Sequence, residues 1–390
     1  MTALIEHLKP RERHDGLRVP LGDVAEFING AAFKPTDWGD EGRRIIRIQN
    51  LNDSTKPFNR TTKDVPEKLK VRPGDLLVSW SASLGVFTWA NEDVAVLNQH
   101  IFRVVPDSSK VVKGYLRHML TGALVDMEEH LHGATMKHVN RREFLSTKIP
   151  LPPLAEQRRI AAILDQADEL RTQRRQALAH LDILTQSMFH DLLSQNSGSE
   201  RRRLEEVVTA VIDCPHTTPQ WTETGVTCLR TSNLGFGGWD WNDHRFVSEG
   251  EHHKRSKRAY LEPEDIILSR EGTVGVAAIV PEGMVASLGQ RLVQVRPNPE
   301  IVVPLMLLHY LLFTLSPVRI SNLMVGATSK HLNVKDLRNL AVPVPPLAAQ
   351  HKFAARISAI EHLKNQHRIQ LSETDALFAS LQSRAFKGEL

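Results

Sequence analysis

The sequence has only two cysteines in 390 residues, Cys214 and Cys228, so no disulfide framework is available and a reducing compartment fits. Cys-Pro-His at 214–216 lacks the second ligand pair of a zinc site, and both cysteines are read as unligated. Long apolar runs are equally scarce. The longest, Val302 to Leu315, is interrupted by Pro304, His309 and Tyr310 and falls short of the ~20 residues that cross a bilayer. The N-terminal stretch MTALIEHLKPRERHDG has no charged region followed by an apolar one and no small-residue cleavage site, so a cytoplasmic location without membrane contact is expected. A large excess of one charge is absent too, with 49 Lys and Arg against 45 Asp and Glu. With 41% apolar and 24% charged residues, a disordered, collagenous or fibrous chain is excluded. A length of 390 predicts two or three domains.

Catalytic signatures are missing as well. There is no G-x-x-x-x-G-K-[ST] phosphate loop, no G-x-G-x-x-G after a strand, no H-E-x-x-H and no G-x-S-x-G. The loops Ser83-Leu84-Gly85 and Gly272-Thr273-Val274-Gly275 have the wrong spacing to cradle a nucleotide and read as tight turns. No Asn-Pro-Pro-aromatic or Asp-Pro-Pro-Tyr tetrapeptide for gripping a flipped adenine occurs, since the Pro-Pro pairs starting at 152 and 345 lead into leucine. His216, His252 and His253 lie near no carboxylate set at ligand spacing; they read as surface residues, and no metal is expected.

What the chain does have is a tandem duplication. At an offset of 183, Leu21, Val24, Trp38 and Gly42 match Leu204, Val207, Trp221 and Gly225, and Arg47, Asn50 and Leu51 match Arg230, Asn233 and Leu234. The offset then grows. Pro73, Asp75, Ser79 and Gly85 match Pro263, Asp265, Ser269 and Gly275 at 190, and Gln99 matches Gln290 at 191. At 193, GATMKHVNRREF from Gly133 repeats as GATSKHLNVKDL from Gly326, and PLPPLAEQ from Pro150 repeats as PVPPLAAQ from Pro343. A stepwise offset means small loop insertions in a shared fold, which suits two domains doing one job on different targets.

Within each half, Asp75 to Trp80 and Asp265 to Arg270 are short β-prone runs between turns, and IFRVVP and LVQVRP close further strands. Gly114 to His130 and Val303 to Leu315 look helical, so each globular unit mixes α and β. Each half then ends in a long helical pattern behind a proline pair, with neither glycine nor proline from Leu154 to Asn196. Apolar residues at spacings of three and four, Ile160, Ile163, Ala167, Leu170, Ala177, Leu181, Leu184 and Met188, mark a coiled-coil seam that Arg174 interrupts. Phe353, Ile360, Leu363, Leu377 and Leu381 take the same slots in the second copy, with His367 matching Arg174. A helix of about 40 residues is about 60 Å long, too long for one small domain to cover, so the two helices are expected to pair antiparallel with a globular domain at each end. Arg174 and His367 would then face each other, either setting register beside acidic neighbours or snorkelling out of a loose seam.

Basic residues come in clumps, at Arg43-Arg44, Arg141-Arg142, Arg158-Arg159, Arg201-Arg202-Arg203 and Lys254-Arg255-Ser256-Lys257-Arg258. Such clumps suit a polyanion. Lys137-His138 and Lys330-His331 recur at equivalent positions beside arginines, giving phosphate donors and base-edge partners, or a brace between loop and helix start.

Two variable halves, each closed by G-A-T-x-K-H-[VL]-N, a P-x-P-P-L-A-x-Q segment and a long helix, with the chain ending FKGEL, resemble the specificity subunits of type I restriction-modification systems over nearly the whole length. The second copy has Ala349 where the first has Glu156. The resemblance implies a non-enzymatic adaptor of α+β class, with target-recognition domains at 1–152 and 197–345 and spacer helices at 153–196 and 346–390. Each domain would read one part of a bipartite, asymmetric double-stranded DNA site. Two modification subunits carrying S-adenosylmethionine would dock on the helices and methylate adenine at N6, and restriction subunits would use ATP with Mg to translocate and cut DNA. Lys137, His138, Lys330 and His331 would hold the DNA backbone. Lys34, Ser81, Arg270 and Lys254, Arg255, Lys257 and Arg258 would lie on or beside reading loops, with Arg47 and Arg230 as further DNA donors. The rival readings are a protein-interaction adaptor whose basic clumps are merely solvated, and a DNA-processing enzyme with a cryptic site.

Overall fold

The computed structural model describes residues 17–130, 140–316, 319–320, 324–325 and 331–390. The chain divides into two units, Met1–Gln176 with His367–Leu390, and Ala177–Gln366. Both boundaries fall inside the long helices, Leu154–Gln195 and Leu347–Lys387.

In unit 1, a four-stranded antiparallel sheet runs in the order Ala25–Asn29, Ile101–Pro106, Leu76–Ser79, Gly85–Thr88. All four residues of Leu76–Ser79 are buried because both faces of the sheet are covered. Strand alternation sorts the side chains. Leu76, Val78, Phe102 and Val104 face a core shared with the helix Lys113–His130, while Leu77 and Ile101 face a second sheet. That second sheet is mixed, in the order Arg60–Thr61, Arg43–Ile46, Ala95–Leu97, Lys70–Val71, with the central pair parallel.

Unit 2 repeats this plan. Val208–Asp213, Leu292–Pro297, Ile266–Ser269 and Ala277–Ile279 form the antiparallel sheet. Ile266, Leu268, Val293 and Val295 share a core with the helix Pro304–Thr314, while Ile267 and Leu292 face the other way. The mixed sheet keeps Phe246–Val247, Val226–Leu229 and Ala286–Leu288 but adds Trp221–Thr222 at its outer edge, where unit 1 instead adds Lys70–Val71 at the opposite edge. One glycine shows why the repeat is kept. Gly42 and Gly225 both have positive φ, and a Cβ there would lie 2.2 Å from Thr61 O or 2.3 Å from Val247 O. Only glycine tolerates both constraints.

The proline-led motif has a matching physical basis in each unit. Buried Gln157 accepts from the Val112 amide (2.8 Å) and donates to Lys110 O (3.0 Å) and Pro152 O (2.8 Å). Gln350 does the same with the Val303 amide (2.9 Å), Ile301 O (3.1 Å) and Pro345 O (2.7 Å). Each glutamine thus ties the start of a long helix to the loop that launches the domain's own helix.

The helical segments pair antiparallel within each unit. In unit 1, Ile160, Leu164 and Ala167 join Phe378, Leu381 and Ala385 in one core. Arg171 donates to Asp375 (2.5 Å) and lies over the Phe378 ring at 4.2 Å. In unit 2, Phe189 and Leu192 join Phe353, Ile357 and Ile360, and Lys364 pairs with Asp182 at 2.8 Å. Arg171 with Asp375 and Lys364 with Asp182 are the same interaction at an offset of 193.

The expected seam needs one correction. Ile160, Ile163, Ala167, Phe353, Ile360 and Leu381 are buried and Leu181 is half-buried, but Leu170, Leu184, Leu363 and Leu377 are 39%, 46%, 45% and 38% exposed. The facing positions belong to the next residues, Arg171, Thr185, Lys364 and Phe378. Long cationic side chains cover apolar surface with their stems, so an apolar pattern lands one residue early. Arg174 and His367 do meet, with Nη1 donating to Nδ1 at 3.2 Å, and the nearby acid, Asp375, is held by Arg171 and Arg175.

Candidate nucleic-acid interface

In each unit a short segment that joins two strands of the mixed sheet projects an arginine onto an exposed tryptophan. Asn50 is buried; it accepts from the Arg47 amide (3.2 Å) and donates to Lys56 O and Pro57 O (3.2 Å each). Asn233 accepts from the Arg230 amide (2.9 Å) and donates to Asp240 O (3.2 Å) and Asp243 O (2.9 Å). The asparagines fix the backbone from which the arginines leave. The Arg47 guanidinium lies 5.3 Å from the Trp38 ring and that of Arg230 6.0 Å from the Trp221 ring. Trp38 and Trp221 are 40% and 37% exposed. Arg245 adds a second guanidinium over Trp221 at 5.3 Å. The pairs differ in one respect: Arg230 is bonded to Asp243 and holds that carboxyl below the usual range, whereas Arg47 has no ion-pair partner among the described residues.

The other expected donors divide. Lys34 is exposed at a 3-10 turn, where its amide bonds Asp37 (2.9 Å) and, with Lys63, keeps that carboxyl low. Lys254, Lys257 and Arg258 are exposed. Arg255 is not: its guanidinium points inward to Leu288 O (2.8 Å), Thr217 O (3.1 Å) and Pro215 O (3.4 Å), with Glu251 at 3.5 Å. A guanidinium so committed, on a side chain only 2% exposed, braces the loop and is out of reach of DNA, which corrects its expected role. Arg270 is likewise only 8% exposed, set between Asp213 (3.2 Å), His216 (3.3 Å) and Glu271 (3.4 Å). His252 also differs from expectation: it is buried, with Nδ1 2.7 Å from the Ser287 hydroxyl, and desolvation lowers its pKa. Ser81 is half-buried in the loop after Leu76–Ser79, and His331 lies in a strand pair with Met324–Val325. Lys137, His138 and Lys330 lie outside the described residues.

Trp38, Trp221 and Arg245 were not among the sequence candidates, although the match of Trp38 to Trp221 was the available signal. Cys214 and Cys228 are free and buried, with burial pushing the Cys228 thiol up to about 11. Among the described residues no three of His, Cys, Asp and Glu converge as metal ligands, and no helix is long and apolar enough to cross a membrane.

The profile of the type I restriction modification DNA specificity domain matches residues 18–180 and 226–373. The specificity subunit of the type I restriction enzyme EcoBI from Escherichia coli is 27% identical, over 97% of this chain and 87% of that protein. That of MjaVIII from Methanocaldococcus jannaschii is 23% identical, over 90% and 89%. In fold, the chain is similar to the S subunit of a type I restriction-modification system from M. genitalium, with a TM-score of 0.59 at 17% identity, covering 97% of this chain and 98% of that one. A chain from a type I restriction-modification complex has a TM-score of 0.54 at 20% identity, over 98% and 100%. With two matched segments spanning most of its length, one in each repeat, the chain belongs to the family of type I restriction-modification specificity subunits.

Proposed function

We propose that this specificity subunit reads a bipartite, asymmetric site on double-stranded DNA, one half through each repeated domain, for a type I restriction-modification complex. The observation that carries this reading is a half-buried arginine laid against an exposed tryptophan, built by the same buried asparagine in both repeats. Cation and aromatic face together suit the phosphates and sugars of the backbone. The exposed Lys34, Lys254, Lys257 and Arg258 add charge, and Lys137, His138, Lys330 and His331 complete the backbone contacts. Such contacts contribute salt-dependent, sequence-blind affinity.

The domains occupy 1–152 and 197–345, with 153–196 and 346–390 as spacer helices. Two modification subunits dock on those helices and supply S-adenosylmethionine and adenine-N6 methylation. Restriction subunits supply ATP-dependent cleavage with Mg, and the complex works in the cytoplasm. Nothing in the chain's own residues is assigned a catalytic step.

Footprinting of the assembled complex tests this. Two protected patches about one helical turn, ~34 Å, apart with a less protected stretch between them are expected. An assembled complex that protects no DNA would replace this reading with that of a protein-interaction adaptor.

A further inference from the structure

Beside the arginine-tryptophan pairs, each unit brings two further segments together on one backbone frame. The loop after the central strand, Trp80 to Ser83, meets the turn Gln99-His100, with the Trp80 amide donating to His100 O at 3.2 Å. In unit 2 the Arg270 amide donates to Arg291 O at 3.0 Å. Ser79 Oγ donates to Ser83 O (2.6 Å), and Ser269 Oγ, closing a tighter turn, to Glu271 O (3.0 Å), the counterpart of Ser81. Ala82 and Gly272 have φ of 62° and 74°. His100 and Arg291, neither of them glycine, have φ of 70° and 71°. Left-handed backbone is rare for such residues and persists where surrounding bonds over-determine it, commonly at functional positions.

The frame is thus shared while the side chains on it are exchanged. Trp80 stands where unit 2 has Arg270, Ser81 where it has Glu271, and His100 where it has Arg291. The framing residues Ser79 and Ser269, and Gln99 and Gln290, are the same. A reader of two different half-sites requires this division of labour. Residues kept in both repeats cannot distinguish the halves, so the arginine-tryptophan pairs serve as sequence-blind anchors.

We propose that these paired segments are the base-reading elements and that Arg291 reads a guanine in the half-site of unit 2; this rests on the DNA-recognition reading above. The Arg291 side chain is 59% exposed, and Glu271 at 3.6 Å orients its guanidinium. Arg270, committed to Asp213, His216 and Glu271, positions that glutamate and does not read bases itself. A planar fork of donors matches guanine O6 and N7 in the major groove. Unit 1 presents no fork here, since the His100 ring packs on Trp80 at 5.1 Å between centroids.

The test is to map N6-methyladenine produced by the complex assembled with wild-type chain, Arg291→Ala or Arg291→Lys, and to measure binding to duplexes altered at single positions. Arg291→Ala is expected to relax one position of one half-site, with a roughly 5- to 150-fold loss of discrimination for guanine and the other half unchanged. Arg291→Lys, which keeps the charge, is expected to keep the salt dependence of affinity and still lose most of that discrimination. Because the side chain is exposed, both variants should unfold at the wild-type temperature. A variant motif identical to the wild type, or weakened evenly at every position, overturns the assignment of Arg291. A wild-type complex that assembles and methylates no defined motif overturns the DNA-recognition reading itself.

Discussion

Unit 1 buries His118 against Asp165 (2.7 Å), whereas unit 2, at the matching position, half-buries His309 between Phe189 and Phe353 with no acid in hydrogen-bond reach among the described residues. Desolvation lowers both histidines. The Asp165 hydrogen bond opposes the effect at His118, while His309 is pushed down to about 4. The same contrast runs through the paired helices, where Arg171 stacked on Phe378 in unit 1 becomes Lys364, with no aromatic partner among the described residues, in unit 2. Arg47 has no ion-pair partner among the described residues while Arg230 is tied to Asp243, and unit 2 carries a loop with Trp239 stacked on Trp241 and with Phe236 62% exposed. The two units therefore hold one frame by the same glycines, asparagines and glutamines and differ in what surrounds it. Divergence at equivalent positions shows which side chains are free to serve separate targets.

The largest expected effect falls on the shared frame. Gln157→Leu and Gln350→Leu each leave three backbone groups without their side-chain partner, at the lower end of ~1–3 kcal/mol per group because solvent reaches part of each site, so each should cost about 3–5 kcal/mol. Denaturant unfolding checks this, and markedly unequal losses would break the claim that the two motifs do the same work.

Acid should separate the units next. His309 titrates near 4 in the folded state against 6.5 when free, so between those values the unfolded state binds more protons and stability falls as pH falls. The loss across that window is about 2–4 kcal/mol. His309→Phe should remove it, as read by unfolding midpoints from pH 7 to 4, and His118→Phe should remove a shallower dependence. Equal pH profiles for wild type and His309→Phe would contradict the account.

Smaller effects sharpen the comparison. Arg171→Ala should cost about 1–2 kcal/mol, since it loses both the Asp375 bond and the stacking on Phe378. Lys364→Ala should cost about 1 kcal/mol or less, its partner Asp182 being largely exposed. Arg47→Ala should weaken binding evenly across DNA sequences and reduce the salt slope by about 1. Arg230→Ala should do less, because Asp243 already neutralises that guanidinium. Titrations at several salt concentrations distinguish the two.

Much of this was legible in the sequence. The duplication, the strands at Leu76–Ser79 and Ile266–Ser269 and both long helices follow from repeated residues and periodicity. The seam slipped by one residue because Arg171 and Lys364 occupy facing positions that a hydrophobic pattern assigns to Leu170 and Leu363. Arg255 lay in a basic clump, and composition does not reveal that its guanidinium turns inward to three carbonyls. Trp38 and Trp221 were visible as a match but not as a site, because only the fold brings Arg47 and Arg230 across them.

The central claim is that one repeated frame reads two different half-sites. Genome-wide mapping of N6-methyladenine, with this chain co-expressed with the proposed modification subunit and with each expressed alone, tests it most directly. A single bipartite motif with two unlike halves, present only when both chains are expressed, is the expected result. An assembled complex that leaves no motif, or one with a single undivided element, would contradict it.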